Sequence, residues 1–343
     1  MKNLLMKYHP LLTRLSFLTI LCVMGLKGFC QDPLFSQFYA TPMNVSPALT
    51  GAGKSDWRIS ANFRNQSVGD QFISLNTTAI SFDGKIYKQP YRSSNYVGMG
   101  FMILQDAGLG GAFKNNTFQL SASTHLSLDE DANHGICAGL GVSYNNTLIN
   151  FNDLTFGPQL SLAGFNRTLP TQEMSLNSVK PYYAVNAGIT YTYTSDKANF
   201  DLGVSGYRFN KTNRSALSEG TQIEPPRYNI HSDFQTFLND RLAININTVF
   251  VFQSQADTYL IGANFGRLMS NEDLPTVFNF GLWYRQNTAV IPYLGLMYKN
   301  MQAGLTYDVY IGNSSQGAIR TFEMSLIFRK PGKTGRLMDS FGK

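Results

Sequence analysis

Apolar and polar residues alternate with period two along most of this chain. Phe118, Leu120, Ala122, Thr124, Leu126 and Leu128 interleave with Gln119, Ser121, Ser123, His125 and Ser127. Tyr183, Val185, Ala187, Ile189, Tyr191 and Tyr193 alternate with Ala184, Asn186, Gly188, Thr190 and Thr192. Phe278, Phe280, Leu282 and Tyr284 oppose Asn279, Gly281 and Arg285. Met301, Ala303, Leu305, Tyr307 and Val309 oppose Gln302, Gly304, Thr306 and Asp308. This period puts successive side chains on opposite faces of a strand. Read throughout, it predicts strands near residues 57–65, 76–83, 96–105, 115–128, 134–149, 182–194, 198–208, 227–238, 242–253, 257–268, 276–285, 289–298, 301–309 and 320–329.

That count is fourteen, even as in single-chain bacterial outer-membrane barrels. The turns "SDKAN", "LNDR", "RQN" and "YKN" are short and polar, whereas the longest breaks span about 151–181 and 209–226. With both chain ends on the periplasmic side, the two long breaks fall on the outer side, as barrel loops do. A soluble β-sandwich also alternates, but its polar face meets water and carries Lys and Glu. Here the polar faces carry Ser, Thr, Asn, Gly and Gln, which suits an enclosed lumen. We therefore expect an all-β, antiparallel transmembrane β-barrel of about 14 strands (roughly 12–16).

Composition supports that expectation. Aromatics make up 13% of the chain and charged residues only 15%, against about 25% charged in soluble domains. After residue 30 no apolar run is long enough for a membrane-spanning helix. The first thirty residues have the layout of a secretory signal peptide. Lys2, Lys7 and Arg14 precede the apolar run Leu15 to Leu26, and Gly28 and Cys30 hold the small-residue positions before a cut. Lipidation of Cys30 is the weaker reading, because Phe29 stands where a small residue is needed. Cleavage after Cys30 removes four of the 28 basic residues and none of the 22 acidic ones, so the net charge falls from +6 to +2. No basic patch remains to suggest nucleic acid. Cys22 and Cys30 leave with the leader, so Cys137 stays alone, without a disulfide or a cysteine metal site.

Few residues offer chemistry. Arg58, Arg64, Asp201, Arg285, Asp308 and Glu323 fall on inward positions. Their mixed signs favour mutual neutralisation in the lumen over a selectivity ring of one sign. His125 and Ser127 lie two apart on one strand face, the arrangement of an outer-membrane phospholipase pair. Both point inward, however, away from lipid, and no orienting group is identifiable. Cys137 reads as a small lumen residue, and the Asn213–Ser215 acceptor triplet as chance. No metal, phosphate-loop or paired-carboxylate motif stands out, so no cofactor and no small-molecule substrate is expected.

One stretch goes beyond barrel periodicity. The segment "QDPLFSQFYATPMNVSPALTGAGKSDWRISANFRNQ", from Gln31, resembles the start of the PorP/SprF family of type IX secretion system membrane proteins. The matching residues are Gln31, Asp32, Pro33, Phe35, Ser36, Gln37, Phe38 and Tyr39, then Pro47, Ala48 and Gly51, then Phe63, Arg64, Asn65 and Gln66. Ser46 departs from the family's usual Asn before Pro-Ala. The far end, "GLTYDVYIGN" (Gly304 to Asn313) with "FEMSLIFR" (Phe322 to Arg329), is similar to the family's closing hairpin. The resemblance implies a noncatalytic outer-membrane component of type IX secretion or gliding motility. Its implied partners are periplasmic machinery lipoproteins or a large secreted adhesin.

The expected organisation is a leader over 1–30, an N-terminal segment over 31–56, a barrel over 57–329 and a periplasmic tail over 330–343. Asp32, Pro33, Phe35, Ser36, Gln37, Phe38, Tyr39 and Pro47 are the candidate plug or partner-docking residues. Asp32, Ser36, Gln37 and Asn44 are expected to pair with inward groups such as Arg58 and Arg64. An outer-membrane channel or hydrophobic-solute transporter is the alternative function.

Overall fold

The structure, a computed structural model, describes residues 32–53, 55–68, 73–89, 94–161, 164–171, 179–210, 223–254, 256–270, 276–312 and 319–331. The leader, residues 332–343 and the Asn213–Ser215 triplet lie outside them. The chain divides into two units, Met1–Asp32 and Pro33–Lys343, and only the second is described below.

Fourteen long strands form one closed antiparallel barrel. They are β1 (Ser55–Val68), β2 (Ile73–Lys88), β3 (Tyr96–Gly108), β4 (Phe113–Ser127), β5 (His134–Ile149), β6 (Tyr182–Thr194), β7 (Ala198–Tyr207), β8 (Arg227–Asn239), β9 (Leu242–Gln253), β10 (Ala256–Leu268), β11 (Thr276–Arg285), β12 (Ala289–Tyr298), β13 (Met301–Tyr310) and β14 (Ile319–Pro331). Each pairs with its sequence neighbours, and β1 closes the ring against β14 from Trp57↔Lys330 to Val68↔Ile319. Closure leaves no free edge, as a membrane-spanning sheet requires. A two-stranded ribbon, Leu160–Ser161 with Gly164–Phe165, stands in the long β5–β6 connection.

Register fixes which face each residue takes. Leu140 and Tyr183 are 67% and 66% exposed and point outward, whereas Gln119, Asn186 and Glu323 point inward and are buried. The outward set forms the apolar surface that lipid covers. The short turns between β4 and β5, β6 and β7, β8 and β9, and β12 and β13 share one end with the start of β1 and the end of β14. The two long connections, β5–β6 and β7–β8, leave from the other end; long connections of outer-membrane barrels are extracellular, so the end with these short turns is the one expected at the periplasm.

Candidate functional site: the lumenal segment and its vestibule

Residues 33–53 lie inside the barrel. Three prolines break this stretch into single turns, Phe38–Ala40, Pro42–Val45 and Pro47–Leu49, with Pro42 and Pro47 opening the last two. Proline presets the helical φ and lacks an N–H, so such turns start readily but leave many backbone groups without helical partners. Buried groups of this kind need partners, and the inward wall residues supply them. The Ser36 and Gln37 N–H groups donate to the two Glu323 oxygens, each at 2.7 Å. Gln119 Nε2 and the Tyr207 hydroxyl donate to the Met43 carbonyl. Ser205 Oγ and Asn229 Nδ2 both donate to the Val45 carbonyl at 2.7 Å. Ser123 Oγ donates to the Thr50 carbonyl at 2.6 Å, and Gly51 N–H donates to Asp83 Oδ2 at 2.7 Å. The Ser, Asn and Gln pattern of the wall thus has a specific use.

Apolar contacts complete the fit. Phe35 packs with Ala79 and Leu104, while Phe38 and Val45 join Val249, Leu260, Trp283, Ile291 and Tyr293. Tyr39 stacks on Trp283 at 6.0 Å and meets Tyr293 edge-on at 6.1 Å. The wall also makes room where the segment comes closest. A Cβ on Gly139 would stand 2.3 Å from the Pro47 carbonyl carbon, and one on Gly188 would stand 2.3 Å from Ser46 Oγ.

The inward charges divide into separate groups. Arg285 pairs with Asp308 at 2.5 Å and donates to Ser36 Oγ at 2.6 Å. Glu323 takes the two segment N–H groups and Asn62 Nδ2. Arg58 forms a two-pronged bond with Asp83, and Arg64 donates to Gln66. The expected pairing of Ser36 and Gln37 with Arg58 and Arg64 is therefore corrected: the segment's N–H groups call for an acceptor, which Glu323 provides, while Asp308 accepts from the Ser36 hydroxyl. Asn44 is likewise served by Arg227, not by Arg58 or Arg64. Asp201 lies on β7, opposite Asp233 of β8 in register. Pro33 accepts from Asn44 Nδ2 through its carbonyl, and Pro47 packs at Gly139. Asp32 belongs to the first unit.

Sequence reading missed Asp83, Asn62, Arg227, Trp283 and Tyr293. Parity alone places Asp83 inward beside the outward Phe82, and Trp283 inward with Asn279 and Arg285. What parity lacks is any sign that an apolar cluster occupies part of the lumen. His125 and Ser127 have separate partners. His125 Nε2 meets the Thr50 carbonyl and Ser123, its Nδ1 meets Cys137 Sγ at 2.8 Å, and Ser127 Oγ donates to the Asp129 carbonyl. Among the described residues no group of three or more His, Cys, Asp and Glu side chains is placed to hold a metal ion.

Beneath the segment, on the short-turn side, a cavity of about 300 Å³ remains. Its ceiling is Phe38, Tyr39, Val45 and Leu49, and its polar wall includes Asp201, Asp233, Asn245 and Asn247.

Comparison with known proteins agrees with this architecture. The Ralstonia pickettii toluene transporter TbuX is similar with a TM-score of 0.50 at 12% identity, over 85% of this chain and 94% of that one. A Pseudomonas aeruginosa FadL homologue gives 0.48 at 9% identity, over 83% and 92%. At 12% identity the likeness to TbuX shows the barrel fold alone. No curated protein matches the chain by sequence. Residues 28–328 match the family of type IX secretion system membrane proteins PorP/SprF, and the chain, an outer-membrane β-barrel, belongs to that family.

Proposed function

We propose that this chain is a noncatalytic barrel of the type IX secretion and gliding motility machinery that works by binding other proteins. Its partners are periplasmic machinery lipoproteins or a large secreted adhesin. In this reading residues 1–30 are a cleaved leader, residues 31–56 a plug or docking strip, and residues 330–343 a periplasmic tail. The observation that carries it, beside family membership, is the filled lumen. A fourteen-strand barrel encloses more space than inward side chains alone fill, and here the chain's own segment takes that space, bonded to strands on all sides. Deleting the gene is expected to abolish surface display of type IX cargo or of an adhesin, with rescue by the intact chain. Normal display in the deletion strain would overturn the proposal.

A solute-transport reading has one specific observation in its favour, the cavity with its aromatic ceiling of Phe38, Tyr39 and Tyr293. Liposome swelling decides between the two. Robust size-dependent permeation through the intact barrel would support transport, and impermeable liposomes support the plugged barrel.

A further inference from the structure

Asparagines dominate one side of the cavity beneath the lumenal segment. Asn199 on β7, Asn245 and Asn247 on β9, Asn264 on β10 and Asn279 on β11 all line it. Asn245 and Asn264 stand opposite each other in register, and the same level of the wall continues through Gly281 to Tyr293. The amide arc thus runs up to the aromatic ceiling. There Tyr39 stacks on Trp283 and stays half-buried, so the rest of its ring is left to the cavity it lines.

A second observation points to a ligand. Asn247 is 3% exposed and Asn199 6%, and the Oδ1 of each has no hydrogen-bond partner. Their Nδ2 groups are committed, to Asp233 and to Gln235, so each amide is held with its acceptor unused. Across the cavity, Arg329 donates to Gln302 through one Nη, and its Nε has no partner. Buried polar groups without partners cost free energy, and this set needs a ligand that both donates and accepts. A metal cation would meet the Arg329 guanidinium, and an anion would meet the Asp233 carboxylate. An apolar solute would leave all three groups unpaired. A hydroxyl serves both kinds, because it carries one donor and two acceptor lone pairs.

We propose that this vestibule binds a neutral mono- or disaccharide. Sugar hydroxyls donate to Asn199 and Asn247 and accept from Arg329, while the C–H face of a sugar ring stacks on Tyr39. Tyrosine supplies such a face at low entropic cost, since its ring is rigid and has only two side-chain torsions. A volume of about 300 Å³ lies at the small end of ligand pockets and admits a sugar of that size. Bound there, the sugar bridges the lumenal segment, through Tyr39, to the wall strands β7, β9 and β14.

The chain has two tryptophans, and Trp57 packs with Phe82 and Phe328 on the outward face. In the full-length protein, Trp57→Phe therefore leaves Trp283, against Tyr39, as a reporter of the site. The test is titration of its fluorescence in lauryldimethylamine oxide, a detergent without a sugar head group. The probes are maltose and N,N′-diacetylchitobiose, neutral disaccharides without and with acetamido groups, beside toluene and triglycine. A saturable change with at least one disaccharide is expected. Asn199→Leu and Asn247→Leu are each expected to weaken it about tenfold, the loss of one hydrogen bond to the ligand. Tyr183→Leu, on the outward face, is expected to bind like the parent. Should the asparagine variants fail to fold, saturation-transfer NMR on the parent supplies the reading, with the largest transfer expected at the C–H protons of one ring face. The proposal is overturned if neither disaccharide gives a saturable change, whatever toluene or triglycine does. It is equally overturned if both asparagine variants bind like the parent, if Tyr183→Leu removes binding, or if transfer is even over all sugar protons.

Discussion

Glu323 shows how single side chains hold the lumenal segment. It is fully buried, and its two oxygens accept from consecutive backbone N–H groups, Ser36 and Gln37. Hydrogen bonds to a charged group contribute about 1.5–3 kcal/mol each. Glu323→Ala is therefore expected to weaken the folded barrel by about 3 kcal/mol, read as a lower urea midpoint in lipid vesicles. Glu323→Gln, which keeps one acceptor oxygen, falls between. Gly139 tests the fit sterically. Gly139→Val places its first carbon 2.3 Å from the Pro47 backbone, so the turn at Pro47–Leu49 must leave its seat. The expected sign is new protease cleavage within residues 33–53 while the barrel itself stays intact. Resistance equal to the parent would show that the segment does not sit against β5.

The strands were the most legible feature of the sequence, and the reason lies in what each face meets. Lipid outside and a polar lumen inside impose alternation on every strand, so β5, β6, β9, β11 and β12 could be located from period two alone. The outward face also sets its own prediction. Leu140 lies near the middle of β5 and is 67% exposed, and Leu140→Arg is expected to cost about 2–4 kcal/mol, as charges at the bilayer midplane do. Folding into vesicles followed by urea unfolding would measure it. The lumen was far less legible. Period two says that Arg58 points inward, but not that Asp83 on β2 takes it, nor that Glu323 meets Ser36 from 287 positions away. Those contacts depend on ring closure and on the path of a proline-broken segment, which carries no period. Trp283 shares the inward parity of Asn279 and Arg285, yet its partner Tyr39 lies in that segment.

At the scale of the whole molecule, the segment occupies the lumen that the fourteen strands enclose. Removal of residues 33–51 is expected to give ion and small-solute flux in liposomes where the intact chain gives none. A barrel filled by its own segment agrees with the interaction role proposed above for a member of the type IX secretion family PorP/SprF. In the proposed function this barrel acts through protein partners. Affinity purification of the tagged full-length protein from native outer membranes, with identification of what copurifies, tests that claim most directly. Stoichiometric recovery of periplasmic secretion-machinery lipoproteins or of a large surface adhesin is expected. Recovery of the barrel alone under the same gentle extraction would contradict it.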